Sequence, residues 1–256
     1  MLVGVGAGTG TTAKSIEAGG ADMLIIYNSS RYRMAGRGQL AGLISYGDAN
    51  QIVLDMGAEI LPVVQNTPVL AGVCGTDPFR LMDMFLNQLK EQGFSGVHNF
   101  PTVGLIDGVF RQSLEETGMG YDLEVDMINK AHNLDMLTTP FVFDPQQAKK
   151  MAEAGADILI AHMGLNTKGT IGVKTTLTLQ ECVEKIETII KAGKEVNPDI
   201  MFLCCGGPIL ELEDVSYIIE KVKSIDGFLL TSHLDKVQTT KAIKDEVASF
   251  KAIRKK

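Results

Sequence analysis

The sequence has no excess of base: its 256 residues carry 24 Lys and Arg against 31 Asp and Glu, a formal charge of −7. That balance offers no general attraction to nucleic acid or to an anionic membrane, so neither is expected as a partner. Apolar runs of about 18 residues are missing, as is a basic segment leading into an apolar one, so neither a membrane span nor a signal peptide is read. The four cysteines, Cys74, Cys182, Cys204 and Cys205, stand far apart or side by side, never in C-x-x-C spacing. No zinc or redox pair is indicated, and reduced thiols in a cytoplasmic protein are expected. Linkers, low-complexity segments and short-period repeats are also missing, and one domain over residues 1–256 is expected.

Present instead are eight short apolar runs bounded by turn residues, at 2–8, 22–28, 68–75, 96–100, 137–143, 157–163, 200–207 and 227–233. Continuous runs such as Leu24-Ile25-Ile26-Tyr27 suit parallel strands covered on both faces. Helical patterns lie between them. Asp144-Pro145 opens one with a cap and a proline, and Gly155 closes it. Asp77-Pro78 repeats that device before a helix at 79–92, with Leu81, Phe85 and Leu89 on one face, and Gly93 ends it. Helices are also expected at 179–196 and 212–224. Eight strands alternating with helices define an α/β fold, and eight is the number that closes a (β/α)8 TIM barrel; an open doubly wound sheet is the alternative. Pro140 lacks a ladder donor, so the fifth strand is expected to start late or bulge. The chain opens directly on a strand, which leaves the N-terminal mouth uncovered and points to a homo-oligomer or a preceding extension. Two long strand-to-helix loops, 29–47 and 101–121, the second with a short helix at 107–117, leave the C-terminal rim, where barrels of this class carry their sites.

Residues with chemistry gather on that rim. Strand one runs into Gly6-Ala-Gly8-Thr9-Gly10-Thr-Thr12, a loop whose N–H groups can converge on an anion at a helix start or form a plain tight turn. The dinucleotide fingerprint is not met, because Thr11 stands where a glycine is needed and strand two ends in Asn28. After strand two come Asn28, Ser29, Arg31, Arg33 and Arg37, a set able to clamp a carboxylate or phosphate, or to pair with the chain's acids. His98, His162 and His233 lie in or at the ends of strands, where side chains distant in sequence can meet as acid, base or metal ligand. Gly206-Gly207 lets backbone approach a ligand after strand seven. Of the adjacent Cys204 and Cys205, only one can face the barrel interior. Asp48 and Asp77 are candidate Mg²⁺ ligands and, equally, helix caps.

The stretches Gly6–Gly10, Tyr27-Asn28-Ser29 with residues 33–38, Asn99-Phe-Pro-Thr-Val-Gly104, 115–121, Ala161-His-Met-Gly164 and Gly206-Gly-Pro208 resemble the phosphoenolpyruvate hydrolase-like family, also called TIM-barrel signal transduction proteins. A related domain forms the C-terminal half of a plant antiviral resistance protein. More distantly, residues 28–70 look like the phosphoenolpyruvate mutase and isocitrate lyase superfamily, whose enzymes use Mg²⁺ to stabilise an enolate next to a 2-oxo acid. The resemblance implies a phosphoenolpyruvate/pyruvate-domain-like barrel acting on a small anionic metabolite, a phosphorylated or 2-oxo carboxylic acid, by hydrolase or lyase chemistry. On that reading Asp48, His98 and His162 move protons. Gly8, Thr9, Gly10, Asn28, Ser29, Arg31, Arg33, Asn99, Gly206 and Gly207 hold the ligand, and Asp48 with Asp77 holds Mg²⁺. Two departures stand against inherited metal chemistry: Gly72 and Cys74 replace the superfamily's acidic pair after strand three, and Asn99-Phe100 replaces its strand-four glutamate. A non-catalytic sensing or interaction module on the same barrel is the alternative.

Overall fold

The computed structural model describes residues 1–165, 177–231 and Val247. Parallel strands β1 (Leu2–Gly6), β2 (Met23–Ile26), β3 (Val69–Gly72) and β4 (Gly96–His98) alternate with α1 (Gly10–Ala18), α2 (Asn28–Met34), α3 (Ala49–Ile60) and α4 (Met82–Gln92). After α5 (Gly108–Glu116) and α6 (Asp122–Asn133) come the short strands β5 (Leu137–Thr138) and β6 (Phe141–Val142), followed by α7 (Pro145–Glu153), β7 (Ile158–His162), α8 (Leu179–Val196), β8 (Met201–Cys205), α9 (Leu212–Lys221) and β9 (Gly227–Leu230). Among the described residues, no helix is long and apolar enough to cross a membrane.

The sheet order β5-β4-β3-β2-β1-β9-β8-β7-β6 places the two halves of one strand at its two edges. Pro140 explains the split. The N-terminal half pairs with β4, Gly96 opposite Leu137, and the C-terminal half pairs with β7, Phe141 opposite Ile160. Proline has no N–H to give, but its carbonyl accepts the Ile160 N–H at 2.9 Å. The sheet therefore curls into a TIM-barrel-like fold that closes through a strand with a gap in its ladder.

Alternation along the strands produces two cores. Met23, Ile25, Tyr27, Leu70, Phe141, Ile160, Leu203, Cys205 and Leu229 fill the barrel lumen. Their neighbours Leu24, Ile26, Val69, Ala71, Val97, Leu159, Phe202 and Cys204 pack under the helices. Helix starts follow cap chemistry: Asp144 accepts from Gln147 N ahead of Pro145, and Thr178 and Glu181 form a reciprocal capping box. Two expectations need correction. Asp77 caps no helix; its Oδ1 accepts the Phe79 N–H in a local turn, α4 begins only at Met82, and Leu81 is exposed while Phe85 and Leu89 are buried. The segment after strand two is not a loop from its start, since α2 begins at Asn28 and a 3-10 turn spans Gln39–Leu43.

Barrel closure crowds the β4–β5 pair. A methyl at Gly96 would stand 2.1 Å from the Leu137 carbonyl oxygen, a backbone atom that cannot step aside. Gly96→Ala is expected to cost at least about 2 kcal/mol of unfolding free energy, as overpacking against fixed atoms does. Urea denaturation measures it, and an unchanged midpoint would refute the tight closure.

Candidate functional site

The C-terminal mouth of the barrel holds a small, partly open cavity. Tyr27 reaches it from just after β2, Ser29 from α2, Phe100 and Leu105 from beyond β4, Phe141 from β6, His162 from β7 and Leu165 from just beyond it. Gln39 and Leu43 cover it from the 3-10 turn. Its free volume is about 30 Å³, room for a water or two. A small acid enters only if the cover shifts. That cover is seated by α2: the Asn28 amide donates to Gly42 O at 2.9 Å, and a methyl on Gly42 would lie 2.6 Å from Ser29 Cβ. Asn28 Oδ1 is buried with no hydrogen-bond partner. Arg33, four residues after Ser29 on the same helix, is buried; its Nη1 donates to Ser29 Oγ at 3.0 Å and its Nη2 to Ser30 Oγ at 2.9 Å. The guanidinium lies 5.3 Å from the centroid of the Tyr27 ring. The cavity thus pairs a buried cation with an aromatic floor.

Two histidines flank the Phe141 ring, which meets His98 edge-on at 4.0 Å and His162 at 4.6 Å between centroids. Their tautomers follow from their bonds. His98 Nδ1 lies 2.5 Å from Thr139 O, a pure acceptor, so Nδ1 carries the proton and Nε2 presents a bare lone pair; that Nε2 is buried with no partner. His162 Nδ1 accepts the Gly164 N–H at 3.0 Å, so in the neutral ring Nε2 carries the proton. Burial holds the pKa of His98 down to about 4. Burial, with repulsion from His98 and Lys185, holds His162 down to about 3. Both rings are neutral at pH 7; His162 lines the mouth with its Nε2–H as a donor, whereas His98 is wholly buried beside Phe141 and does not line the cavity. His233 lies outside the described residues.

The other expected site residues fall elsewhere on the rim. Around α1, Gly8 N and Thr9 N both meet Thr12 Oγ1, at 3.3 and 3.0 Å, and Gly10 N meets Glu59 Oε1 at 3.1 Å. Arg31 is half-exposed and reaches the same glutamate at 3.4 Å. The donors of this loop are therefore met from within the chain, with Glu59 standing where a bound anion would. Gly206 and Gly207, at φ +80° and +59°, pack on the backbone of Met163 and Gly164, and a methyl on Gly206 would lie 3.1 Å from His162 Cε1. They shape the ring's seat. Cys205 faces the lumen and Cys204 the helices; burial pushes Cys204 up to about 12 and Cys205 also upward, so both are thiols. Asn99 turns away from the mouth. Its Oδ1 accepts Phe141 N–H at 2.6 Å, and its Nδ2 donates to Glu124 at 2.7 Å and to Phe141 O at 3.3 Å.

Asp48 and Asp77 do come together, but on an arginine. Arg80 Nη2 lies 2.7 Å from Asp48 and its Nε 3.2 Å from Asp77. Asp48 also caps α3 through Gln51 N. Desolvation works to raise the Asp48 pKa, yet the Gln51 N–H and Arg80 outweigh it and hold the carboxyl below its ordinary value. Asp77 takes a further bond from Asn50 Nδ2 at 2.9 Å. A divalent cation needs several oxygens free of other cations, and among the described residues no group of three His, Cys, Asp or Glu can hold a metal. These residues do not fit Mg²⁺.

Tyr27, Phe100, Phe141 and Gln39 were not read from the sequence as site residues, because aromatic letters inside strand runs look like core and Gln39 sits in a polar loop. Glu124 was also missed; it is fully buried, and burial raises its pKa to about 7.

A parallel barrel with a capped cavity at the carboxyl ends of its strands defines the class: a TIM-barrel-like protein with a rim site. The family model for phosphoenolpyruvate hydrolase-like proteins matches residues 1–253, and the chain belongs to that family. It is 54% identical over 252 residues to two tomato (Solanum lycopersicum) proteins, the ToMV susceptible protein tm-1(GCR26) and the ToMV resistance protein Tm-1(GCR237), covering 98% of this chain and 33% of each of theirs. The chain therefore spans about a third of the length of those relatives. Among solved structures it is similar to phosphonopyruvate hydrolase in complex with oxalate and Mg²⁺, with a TM-score of 0.66 at 13% identity over 98% of this chain and 82% of that one. Oxaloacetate acetylhydrolase gives a TM-score of 0.62 at 12% identity, covering 98% and 82%. The fold of the phosphoenolpyruvate mutase and isocitrate lyase superfamily is thereby shared.

Neutral buried histidines bind protons only when the chain unfolds, so stability falls as pH drops from 6.5 toward 4. Glu124 acts in the opposite sense between pH 4.5 and 7, where the folded chain keeps a proton that the unfolded chain releases. Two rings against one carboxyl leave a net loss on acidification between pH 6.5 and 4.5. Calorimetric Tm is expected to fall across that window, and less steeply in His162→Gln; equal slopes would show that the ring is not held neutral by burial.

Proposed function

We propose that the mouth binds a small 2-oxo or related carboxylic acid and acts on it by hydrolase or lyase chemistry that uses neutral imidazoles where the superfamily uses a metal. The observation that carries this reading is the histidine pair around Phe141, one ring fixed as donor and the other left with an unpartnered, buried lone pair. Family membership and neighbours that bind oxalate agree with it. The His162 Nε2–H would meet the carbonyl oxygen of the substrate as negative charge develops there; in a site largely screened from bulk water such a donor is worth several kcal/mol. His98 Nε2, which does not line the cavity as it stands, would accept a proton from the bound acid once the site opens to it, the anion then restoring its basicity. Arg33, with Ser29 and Ser30, lies where the carboxylate would sit. Asp48 and Asp77, held by Arg80, take no part, and Asn99, Gly206 and Gly207 support the rings.

Oxalate titration by calorimetry, with and without Mg²⁺, tests binding. Mg²⁺ is expected to leave the affinity unchanged. His162→Asn, which loses the far N–H, is expected to weaken binding at least about tenfold, as losing one charged hydrogen bond does, while His162→Gln, which can restore it, recovers most of that loss. Turnover of phosphoenolpyruvate, phosphonopyruvate and oxaloacetate tests the chemistry. Binding without turnover of any of them would establish the alternative, a sensing module whose 39–43 cover moves when a ligand enters.

A further inference from the structure

We propose that Glu124, in the first turn of α6, is a positioning residue for the mouth: through the Asn99 amide it sets the gap in the closing strand and with it the Phe141 ring between His98 and His162. The proposal rests on the reading of the mouth as the ligand site. Glu124 is wholly buried, yet it does not line the cavity. Its Oε1 accepts the Val103 N–H at 2.8 Å and its Oε2 accepts Asn99 Nδ2 at 2.7 Å, with the Thr102 hydroxyl adding a third donor. Asn99 then holds Phe141 by both backbone groups, and the Tyr121 hydroxyl donates to the same Phe141 carbonyl at 2.5 Å. Other ionisable groups around the carboxyl are Arg111 from α5, Tyr121 on α6 itself with Asp144 beyond it, and Cys74 from the turn after β3 with Asp77 behind it.

An ionised Glu124 only accepts, and three donors suit it. Whichever oxygen takes a proton then opposes an N–H: Oε1 faces Val103 and Oε2 faces Asn99. The Val103 N–H belongs to the backbone and cannot turn, so the adjustment falls on the two side chains that can, the Thr102 hydroxyl and the Asn99 amide. Turning that amide leaves the Phe141 N–H without its acceptor. Protonation at Glu124 is thereby transmitted to the ring that both histidines touch. Burial places the change near pH 7.

The test uses the ligand-free chain. Imidazole NMR signals of His98 and His162, assigned with His98→Gln and His162→Gln, are followed from pH 5.5 to 8.5. Neither ring titrates in that range, since they do so at about 4 and 3. A step near pH 7 in both signals, absent in Glu124→Gln, is expected. Flat wild-type signals overturn the proposal, and so does a step that survives in Glu124→Gln. If that variant does not fold, the wild-type curve still decides, with Tyr121→Phe, expected to alter the step's amplitude, as the second variant. Oxalate binding is scored separately: its failure with the step intact overturns the ligand reading alone, and flat signals with oxalate bound overturn the role of Glu124 alone.

Discussion

The hydrogen bond from the Phe141 backbone to the Asn99 side chain holds this barrel shut. A proline in the closing strand removes one ladder donor, and the strand on either side turns to a different neighbour. A side-chain amide is suited to bridge such a gap because, like the peptide it replaces, it offers an acceptor and a donor from one planar group. The bond is short, buried and backed by a carboxylate, so the gap is braced and not loose. Everything at the mouth hangs on that brace. Phe141 is the wall between the histidines, and Thr139, just before the proline, supplies the carbonyl that fixes the tautomer of His98.

The mouth itself shows how a polar site can be kept in an apolar lumen. Neutral imidazoles avoid the desolvation cost of a buried charge, and each has one nitrogen committed to the backbone so that the other has a defined role. The buried Arg33 guanidinium described there meets, among its partners, two serine hydroxyls of its own helix and the face of Tyr27. The cover is held by an asparagine from the same helix. Buried cation, aromatic floor and cover are thus parts of one short segment, residues 27–43.

The sequence announced the strands and most helices because their signals are local: continuous apolar runs, the Asp144-Pro145 start, the Gly155 and Gly93 stops. Pro140 even marked where the barrel would strain. What it did not announce are partnerships between distant residues. Asn99 and Glu124 stand 25 positions apart, and Arg80 and Asp48 stand 32 apart. Glu124 reads as an ordinary acid in a helix's first turn, favourable there for its own reasons. Gly8 and Gly10 were legible as donors for an anion, but the acceptor that meets Gly10 is Glu59, 49 residues on. Local pattern shows what a residue can do, and tertiary pairing decides whether another group already does it.

Arg80 between Asp48 and Asp77 is a case of that pairing with an outcome of its own. A metal ion exchanges with the surroundings, so its occupancy follows supply, competes among ions and can be stripped by a chelator. A guanidinium on the same chain is present in one copy per molecule, from the moment of synthesis, and never dissociates. Whatever this rim does, its charge balance at that corner is inherited with the gene and not borrowed from the cell's pool of ions.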